Sequence, residues 1–575
     1  MERHRKLDAA CRASIPGALI ALALLLICAG AYGQTEAAPD PSNHLQHLMA
    51  QNRWPEIVAL VGPMKNRSAD VDYIYGNALS RLDRWQEARI AFLAGREQNR
   101  NDARFALELA GVAFKQKNRP EAKKWLGEAL RLSPSDQYAN DFLATLYFLD
   151  GNLEAALKYW NRAGKPFLEN VRTEPELRTD PILVDRSLVF SQAGILTREQ
   201  LLASQARLRG LEVFPRFNIQ LKARDDGKFD AVVHAQESNG FGENKWAVLL
   251  STFRGVFFET ITPEYYNLHG SATNLRALIR WDKNKRRFTG GIDAPLGRDP
   301  RWHWKIAANL RNENWSLANF STVGASFLGD LNLRREGVVA EIASYRAARW
   351  NWKTGGDFSR RDFRNVSTNS TLPANLFLDG NELKHFARIN YDLLRIPEHR
   401  FFVTATGTSE EGRVWDADGS GFAKLQVSSA QHWFPKATND DFEIQSRASY
   451  GHTFGRVPFD ELLMLGIERD NDLMLRGHVG TSDGRKGSAP LGRNFFLSNW
   501  ELDKQLYGNG LFRITLGPFL DTGKITDPDD ALGSKKWLFD TGGQLKLRVL
   551  GVGFAFTYGK DLRSGNNTFY AYLAR

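Results

Sequence analysis

From about residue 246 to its end, the chain alternates apolar and polar residues over many short stretches. A period of two places successive side chains on opposite faces of a β-strand. The clearest examples are Leu275–Trp281, Trp304–Leu310, Ala387–Leu393 and Val552–Tyr558. Charged residues recur on the polar face, which fits an apolar face against lipid and a wet interior, as in a transmembrane antiparallel β-barrel. With ~20 residues for each strand and its loop, this segment (residues 241–575) holds about 16 strands. The alternative is a large soluble β domain.

A 34-residue period runs through residues 70–166. Small residues recur at this spacing in two series, Gly76, Ala110 and Ala144, and Ala88, Ala122 and Ala156. Small residues let two helices approach closely, and this spacing is typical of the tetratricopeptide repeat (TPR). We therefore predict an all-α TPR solenoid over residues 34–167, with three units between residues 70 and 166 and a degenerate helical hairpin before them around Trp54–Val61. Such a solenoid presents a concave surface for protein or peptide, although a rigid spacer without a ligand fits the pattern as well.

The pattern changes again over residues 168–240, where a small α+β unit is predicted. Ile182–Phe190 is rich in Val, Leu and Ile, which indicates a strand. Thr197 and Gln200 have the spacing of a capping box at the start of a helix. Phe217–Ala223 and Phe229–Ala235 then alternate on either side of an Asp-Asp-Gly turn. The predicted order is β-α-β-β.

The first 33 residues have the features of a secretory signal peptide. A basic start is followed by the apolar run Ile15–Gly30 and by the small-x-small pattern Ala31-Tyr32-Gly33. An N-terminal membrane anchor is the alternative. The chain has a net charge of +10, but its basic residues are dispersed, so we do not expect it to bind nucleic acid. The 49 Gly and 15 Trp suit the turns and interfacial aromatic residues of a membrane barrel.

No motif in the chain arranges a nucleophile, a base and an orienting group, and none matches a phosphate-binding loop or a zinc helix. We therefore expect no enzyme, no cofactor and no metal site. His44 and His47 are predicted to lie on a solvated helix face. Asp416-Ala-Asp418-Gly419 has a hint of a calcium loop but lacks most of the ligands, so a hairpin turn fits better.

Two motifs in the C-terminal segment narrow the choice of family. Leu475-Arg476-Gly477-His478 resembles the loop signature of the BamA/TamA family, within the bacterial surface antigen group. Phe519-Leu520-Asp521-Thr522-Gly523 resembles that family's later F-x-D-x-G strand signature. The strand between them carries Asn499 and Glu501 and also looks like its family counterpart. His478 departs from the aromatic residue that is usual at the fourth position of the loop motif.

The resemblance implies that this loop folds back into the barrel lumen and that its arginine pairs with an acid on the later strand. Arg476 and Asp521 are then the expected ion pair, because Arg binds a carboxylate with two parallel hydrogen bonds. Phe519, Asp521 and Gly523 share one strand face, and Gly523 leaves room for the loop. The α+β unit resembles a POTRA domain, which implies a periplasmic position and edge-strand pairing with extended clients.

The function that these resemblances imply is assembly, insertion or translocation of other proteins at the outer membrane of a Gram-negative bacterium. The barrel would contact outer-membrane lipid, and the TPR and POTRA-like modules would bind periplasmic protein or peptide clients. Two alternatives stay open: a TPR-barrel porin that exports polysaccharide, and a surface-lipoprotein translocator. The exporters need neither a POTRA-like unit nor an Arg-Gly loop, which favours the first hypothesis.

Overall fold

The computed structural model describes residues 41–242, 248–249, 252–319, 326–368, 372–415, 421–436, 440–509, 511–526, 532–549 and 552–574. The predicted signal peptide and the turn at Asp416–Gly419 lie outside the described residues. The chain divides into two compact units, one up to Gln116 and one from Lys117 onward. None of the described helices is long and apolar enough to cross a membrane.

Helices occupy the region of the 34-residue period. The first unit contains α1 (Pro41–Ala50), α2 (Trp54–Val61), α3 (Ala69–Arg81), α4 (Trp85–Gln98) and α5 (Ala103–Lys115), and the second unit begins with α6 (Arg119–Leu132), α7 (Gln137–Leu149) and α8 (Leu153–Trp160). The small residues of the two series all lie within these helices. At Gly76, a Cβ atom would meet the ring of Phe92 at 2.5 Å, so α3 and α4 can pack this closely only with glycine there.

The capping residues at the helix starts follow the same 34-residue period, which was not predicted from the sequence. Ser68, Asp102 and Asp136 are spaced by 34 residues, and each side chain accepts a hydrogen bond from an early backbone N–H of α3, α5 or α7. Asn118 and Asn152 do the same for α6 and α8. These caps satisfy N–H groups that have no partner within the helix. His44 and His47 are exposed on α1, as expected for a solvated face.

The α+β unit is built differently from the prediction at its start. It comprises β1 (Phe167–Glu174), α9 (Pro181–Ser187), β2 (Gly194–Ile195), α10 (Arg198–Gly210), β3 (Arg216–Ala223) and β4 (Phe229–Gln236). The strand expected at Ile182–Phe190 is wrong, because this segment begins as helix α9. Pro181 suits the first helical position and the Asp180 side chain caps it, accepting from Ile182 N at 2.9 Å. The order is therefore β-α-β-α-β-β, in which the second strand, β2, has only two residues.

The rest of the unit follows the sequence pattern. The capping box forms as predicted, with Thr197 Oγ1 accepting from Gln200 N and Gln200 Oε1 accepting from Thr197 N. The sheet order is β2-β1-β4-β3, with β1 parallel to β4 and β3 antiparallel to it at one edge.

The last two repeat helices share a core with the α+β unit. Ala156, Leu157 and Trp160 of α8 are buried in one cluster with Leu168 and Leu201. The expected boundary between residues 167 and 168 therefore does not coincide with a boundary of packing.

Beyond the α+β unit, eighteen strand segments join into one barrel. They are β5 (Thr260–Ile261), β6 (Glu264–Leu268), β7 (Thr273–Arg280), β8 (Lys285–Leu296), β9 (Asp299–Asn319), β10 (Ser326–Ser344), β11 (Trp350–Thr368), β12 (Gly380–Ile396), β13 (Phe401–Trp415), β14 (Gly421–Trp433), β15 (Phe442–Gly455), β17 (Thr481–Ser482), β18 (Arg485–Lys486), β20 (Asn494–Gly508), β21 (Phe512–Thr526), β22 (Leu538–Val549), β23 (Val552–Asp561) and β24 (Asn567–Ala574). Three of these have only two residues. The remaining fifteen described strands are close to the expected number of about 16.

The two faces of this sheet are opposite in character. Asp521 is 0 % exposed whereas its neighbour Leu520 is 47 % exposed. Glu382 is likewise 0 % exposed beside Leu383 at 49 %. The strands therefore turn charged residues inward and leave large apolar residues on the outside, which is the reverse of a water-soluble β domain.

Residues 456–493 connect β15 to β20, which pair directly in the barrel wall. We call this segment the lumen loop. The apolar stretch Leu462–Ile467 would suit a wall strand by its composition, but only β16 (Leu463–Met464) forms there, and it pairs with β19 (Leu491–Gly492) within the loop. Its apolar residues face a local core instead: Met464 and Leu491 pack with Phe459.

Candidate functional site: the lumen loop and the barrel wall

Three groups of residues in the lumen loop form ion pairs with inward-facing residues of the strands. The first part (Asp460 and Glu461) contacts β10 to β14, the second (Glu468, Asp470 and Lys486) contacts β7 to β9, and the third (Arg476 and His478) contacts β20 to β23. A segment that reaches strands on so many sides can do so only from inside the barrel. The loop thus folds into the lumen, as the resemblance implied.

The third part contains the predicted motif. Arg476 donates from Nε to Asp521 Oδ2 at 2.8 Å and from one terminal nitrogen to Asp521 Oδ1 at 2.6 Å. Its other terminal nitrogen donates to Glu501 Oε1 at 2.7 Å and to Gln544 Oε1 at 3.2 Å. We call these four residues the Arg476 cluster. Arg476 is 5 % exposed and Asp521 is 0 % exposed, so the bidentate pair is shielded from water.

Neighbouring residues fix the position of the arginine. The guanidinium carbon lies 3.9 Å from the centre of the Phe519 ring, which is close enough for a cation–π interaction. Asn499 Nδ2 donates to Asp521 Oδ1 and to the backbone oxygen of Met474, both at 2.8 Å. A Cβ atom at Gly523 would lie 3.1 Å from Leu465 of the loop, which is tighter than an ordinary contact, so the glycine gives the loop its room. The predicted residues on the loop and on the two strands are thus brought together.

Gly477 and His478 face a residue that the sequence analysis did not single out. Asp540, on β22, accepts from Gly477 N at 2.5 Å and lies 3.1 Å from His478 Nδ1. A Cβ atom at Gly477 would be 2.5 Å from the Asp540 carboxyl carbon, so only glycine allows this approach. No sequence motif marks Asp540 or Gln544, and only the fold shows that they belong to the site.

The first part of the loop is held by a larger set of buried charges. Arg335 donates to Glu461 at 2.8 Å, and Lys384 Nζ donates to it at 3.0 Å. Arg361 donates to Asp460 at 2.7 Å and also pairs with the buried Glu382. Charges of both signs alternate through this set, so the cost of burying each one is offset by a neighbour.

The second part of the loop pairs with the strands at the start of the barrel. Arg280 donates to Asp470 at 3.0 Å, and Lys285 Nζ lies 3.3 Å from Glu468. Lys486 of the loop donates to Glu313 at 2.7 Å. Here the loop and the barrel wall each contribute acidic and basic residues, so the two surfaces are electrostatically complementary.

The lumen loop does not fill the whole barrel. A cavity of about 640 Å³ lies beside the Arg476 cluster. Its lining is mainly polar and charged and includes Arg447, Asp472, Asp503, Arg513 and Lys546. This is an aqueous vestibule rather than an apolar ligand pocket, because a small-molecule site is usually lined by apolar and aromatic residues.

Helix α8 is attached to the barrel at the turn between β12 and β13. Glu398 in this turn accepts from Tyr159 at 2.9 Å and pairs with Lys158, while Arg395 donates to Glu154 at 2.7 Å. Burial opposes ionisation of Glu398, but the hydrogen bonds from Lys158 and Tyr159 hold its pKa below the usual range. The last repeat helix is therefore fixed to the barrel by charged contacts.

Comparisons with known proteins give only distant similarities. No protein-family model and no curated protein matches the chain. Among solved structures, CdiB from Escherichia coli is 15 % identical, with 72 % of this chain and 74 % of that chain covered and a TM-score of 0.46. BamA from Haemophilus ducreyi lacking POTRA domains 1–3 is 12 % identical, with 72 % and 85 % covered and a TM-score of 0.42. CdiB from Acinetobacter baumannii is 11 % identical, with 71 % and 73 % covered and a TM-score of 0.41. Likeness at this level assigns no function, since one fold hosts many unrelated functions.

Proposed function

We propose that this chain is an outer-membrane protein of BamA/TamA type that assembles, inserts or translocates other proteins. The membrane location is supported by the two faces of the sheet. Large apolar residues such as Val427 and Leu520 point outward and are exposed, while charged residues face the lumen. In water such an apolar surface would promote aggregation, whereas lipid solvates it.

The observation that carries the proposal is the attachment of the lumen loop through Arg476. The two motifs that resemble the BamA/TamA signatures are 45 residues apart in the chain, and they meet in a bidentate pair inside the barrel. The loop narrows the lumen and is held there by buried charges on several sides. A loop of this kind suits a barrel that opens only while a client passes or inserts.

The N-terminal modules supply candidate surfaces for clients. Strand β3 lies at the edge of the four-stranded sheet, and an extended peptide can add to such an edge through backbone hydrogen bonds. The helical hairpins are candidates for binding folded protein or peptide, in the manner of TPR units. We place both modules in the periplasm, on the side from which exported clients arrive.

Depletion of the protein followed by quantitative proteomics of the outer membrane tests this function. We expect particular barrel proteins to fall in abundance while extracellular polysaccharide is unchanged. Loss of polysaccharide alone would instead identify the exporter. Loss of surface lipoproteins with a normal set of barrel proteins would identify the lipoprotein translocator.

A further inference from the structure

Two carboxylates face each other in the barrel wall next to the Arg476 cluster. Asp540 on β22 and Asp561 on β23 are direct cross-strand partners. Asp540 is 0 % exposed and Asp561 is 6 % exposed, so water does not screen them well. Like charges directly opposite one another destabilise a sheet, and burial makes this repulsion larger. A positive charge between the two strands would remove the conflict.

His478 of the lumen loop is placed between these carboxylates. Its Nδ1 atom lies 3.1 Å from Asp540 Oδ2, and its Nε2 atom lies 3.6 Å from Asp561 Oδ2. Within the part of the chain that the structure describes, no lysine or arginine forms an ion pair with either aspartate. We call His478, Asp540 and Asp561 the histidine-aspartate cluster.

The charge balance favours a metal ion over a proton as the missing cation. Two carboxylates carry two negative charges, and a protonated imidazole cancels only one of them. A divalent ion bound to the neutral imidazole cancels both, which suits a buried site because an uncompensated charge there is costly.

We propose that the histidine-aspartate cluster binds a divalent transition-metal ion, of which Zn²⁺ is the best match. Imidazole nitrogen and carboxylate oxygen are its ordinary ligands alongside thiolate. One candidate ligand atom from each residue lies within 4.8 Å of the others. A tetrahedral ion with bonds of about 2.1 Å holds its ligand atoms about 3.4 Å apart, so the three side chains must draw together around one imidazole nitrogen to complete the site. No metal site was expected from the sequence, and His478, Asp540 and Asp561 form no metal-binding motif in it.

An independent observation also points to a ligand. Asp540 Oδ1 is buried and has no hydrogen-bond partner among the described residues, so this oxygen is available to an ion. The other Asp540 oxygen accepts from Gly477 N, and Asp561 accepts from Ser564 Oγ at 2.6 Å. Such contacts behind the ligands orient them toward an ion. A bound ion would join the lumen loop to β22 and β23 beside the Arg476–Asp521 pair.

Calorimetric titration of the chelator-treated full chain in detergent with ZnCl₂ tests the proposal. We expect about one ion per chain for the wild type and at least a tenfold loss of affinity in His478→Phe and Asp561→Asn. His478→Phe introduces the aromatic residue usual in the resembled family, so we expect it to fold. Heat-modifiable gel migration checks folding of every variant. His432→Phe is the matched control, because His432 pairs with the single carboxylate of Glu443.

Retention of one bound ion in His432→Phe and its loss from the two cluster variants would establish the site. If the folded wild type binds no Zn²⁺, or if folded His478→Phe and Asp561→Asn bind it as tightly as the wild type, the proposal is wrong. If the folded wild type binds no Zn²⁺, His478 carries a proton in place of the metal ion and pairs with the aspartates directly. Should one cluster variant fail to fold, the other gives the answer.

Discussion

Arg476 and Asp521 are 45 residues apart in the chain, yet the guanidinium of one binds both carboxylate oxygens of the other, at 2.8 and 2.6 Å. The pair joins the lumen loop to strand β21. Both side chains are buried, and Asn499 and Glu501 complete the hydrogen bonding. The loop can leave the lumen only if these contacts break, so the pair is one of the attachments that hold the loop inside the barrel.

Replacing either partner should loosen the loop. Arg476→Ala leaves the Asp521 carboxylate buried without its cation, and Asp521→Ala does the converse, at a cost of ~3–5 kcal/mol in each case. Because both variants remove the same interaction, the double variant should be little worse than either one. Urea titration of the barrel in lipid vesicles measures the free energy of unfolding.

The control for this cycle is Arg485→Ala. Arg485 lies in the same loop and pairs with Asp330, but their side chains are 44 % and 40 % exposed. Exposed pairs contribute only ~0–1 kcal/mol, so this variant should behave like the wild type. Additive losses for Arg476→Ala and Asp521→Ala would show that the two residues do not act as a unit.

Neutralising Glu461 should make the barrel leak ions. Glu461 accepts hydrogen bonds from Arg335, Lys384 and Lys424, so Glu461→Gln leaves these cations undercompensated and weakens the first part of the loop. We expect more frequent and larger conductance steps in planar bilayers. Glu336→Gln is the control, because Glu336 is exposed and pairs only with Arg334 among the described residues. Equal conductance for both variants would mean that this part of the loop does not gate the lumen.

The exposed apolar face should tolerate charge only away from the membrane centre. Val427 lies in the middle of β14 and is 59 % exposed, so Val427→Arg should cost ~2–4 kcal/mol on folding into lipid vesicles. Val366 is near the end of β11 and is also exposed, and Val366→Arg should cost ~0–1 kcal/mol. Equally small effects at both positions would indicate that the outer face does not contact lipid.

The periodic parts of the fold could be predicted from the sequence because each period reflects local geometry. Gly76 and Ala88 each begin a series of small residues at 34-residue spacing, which indicates helices. The alternation around Ile389 indicates a strand. The segment after Pro181 was misread because a short apolar run suits a strand or a buried helix equally. The cap from Asp180, together with the proline, decides for the helix.

Only part of the site could be predicted from the sequence. Arg476 and Asp521 carry motifs, so their pairing could be expected. Asp540, Gln544 and Glu461 carry none, because each meets its partners only when the lumen loop lies against the barrel wall. These contacts join residues far apart in the chain, which no short window of sequence contains.

The packing of α8 gives a prediction about truncation. Removing residues 34–116 deletes the first compact unit and should leave the α+β unit and the barrel folded. Removing residues 34–166 also takes Leu157 and Trp160 from the core of the α+β unit. We expect both truncated barrels to keep heat-modifiable migration, but only the longer deletion should make the α+β unit sensitive to protease. Equal protease resistance of the two forms would show that α8 is dispensable for that core.

Complementation of depleted cells with single variants tests the proposed function most directly. Wild type and Arg485→Ala should restore the outer-membrane proteome, whereas Arg476→Ala should reach the membrane at normal levels and fail to restore it. The measurement is the abundance of outer-membrane proteins relative to the amount of the variant itself. Full restoration by Arg476→Ala, or a proteome unaffected by depletion, would contradict a role in assembling or translocating other proteins.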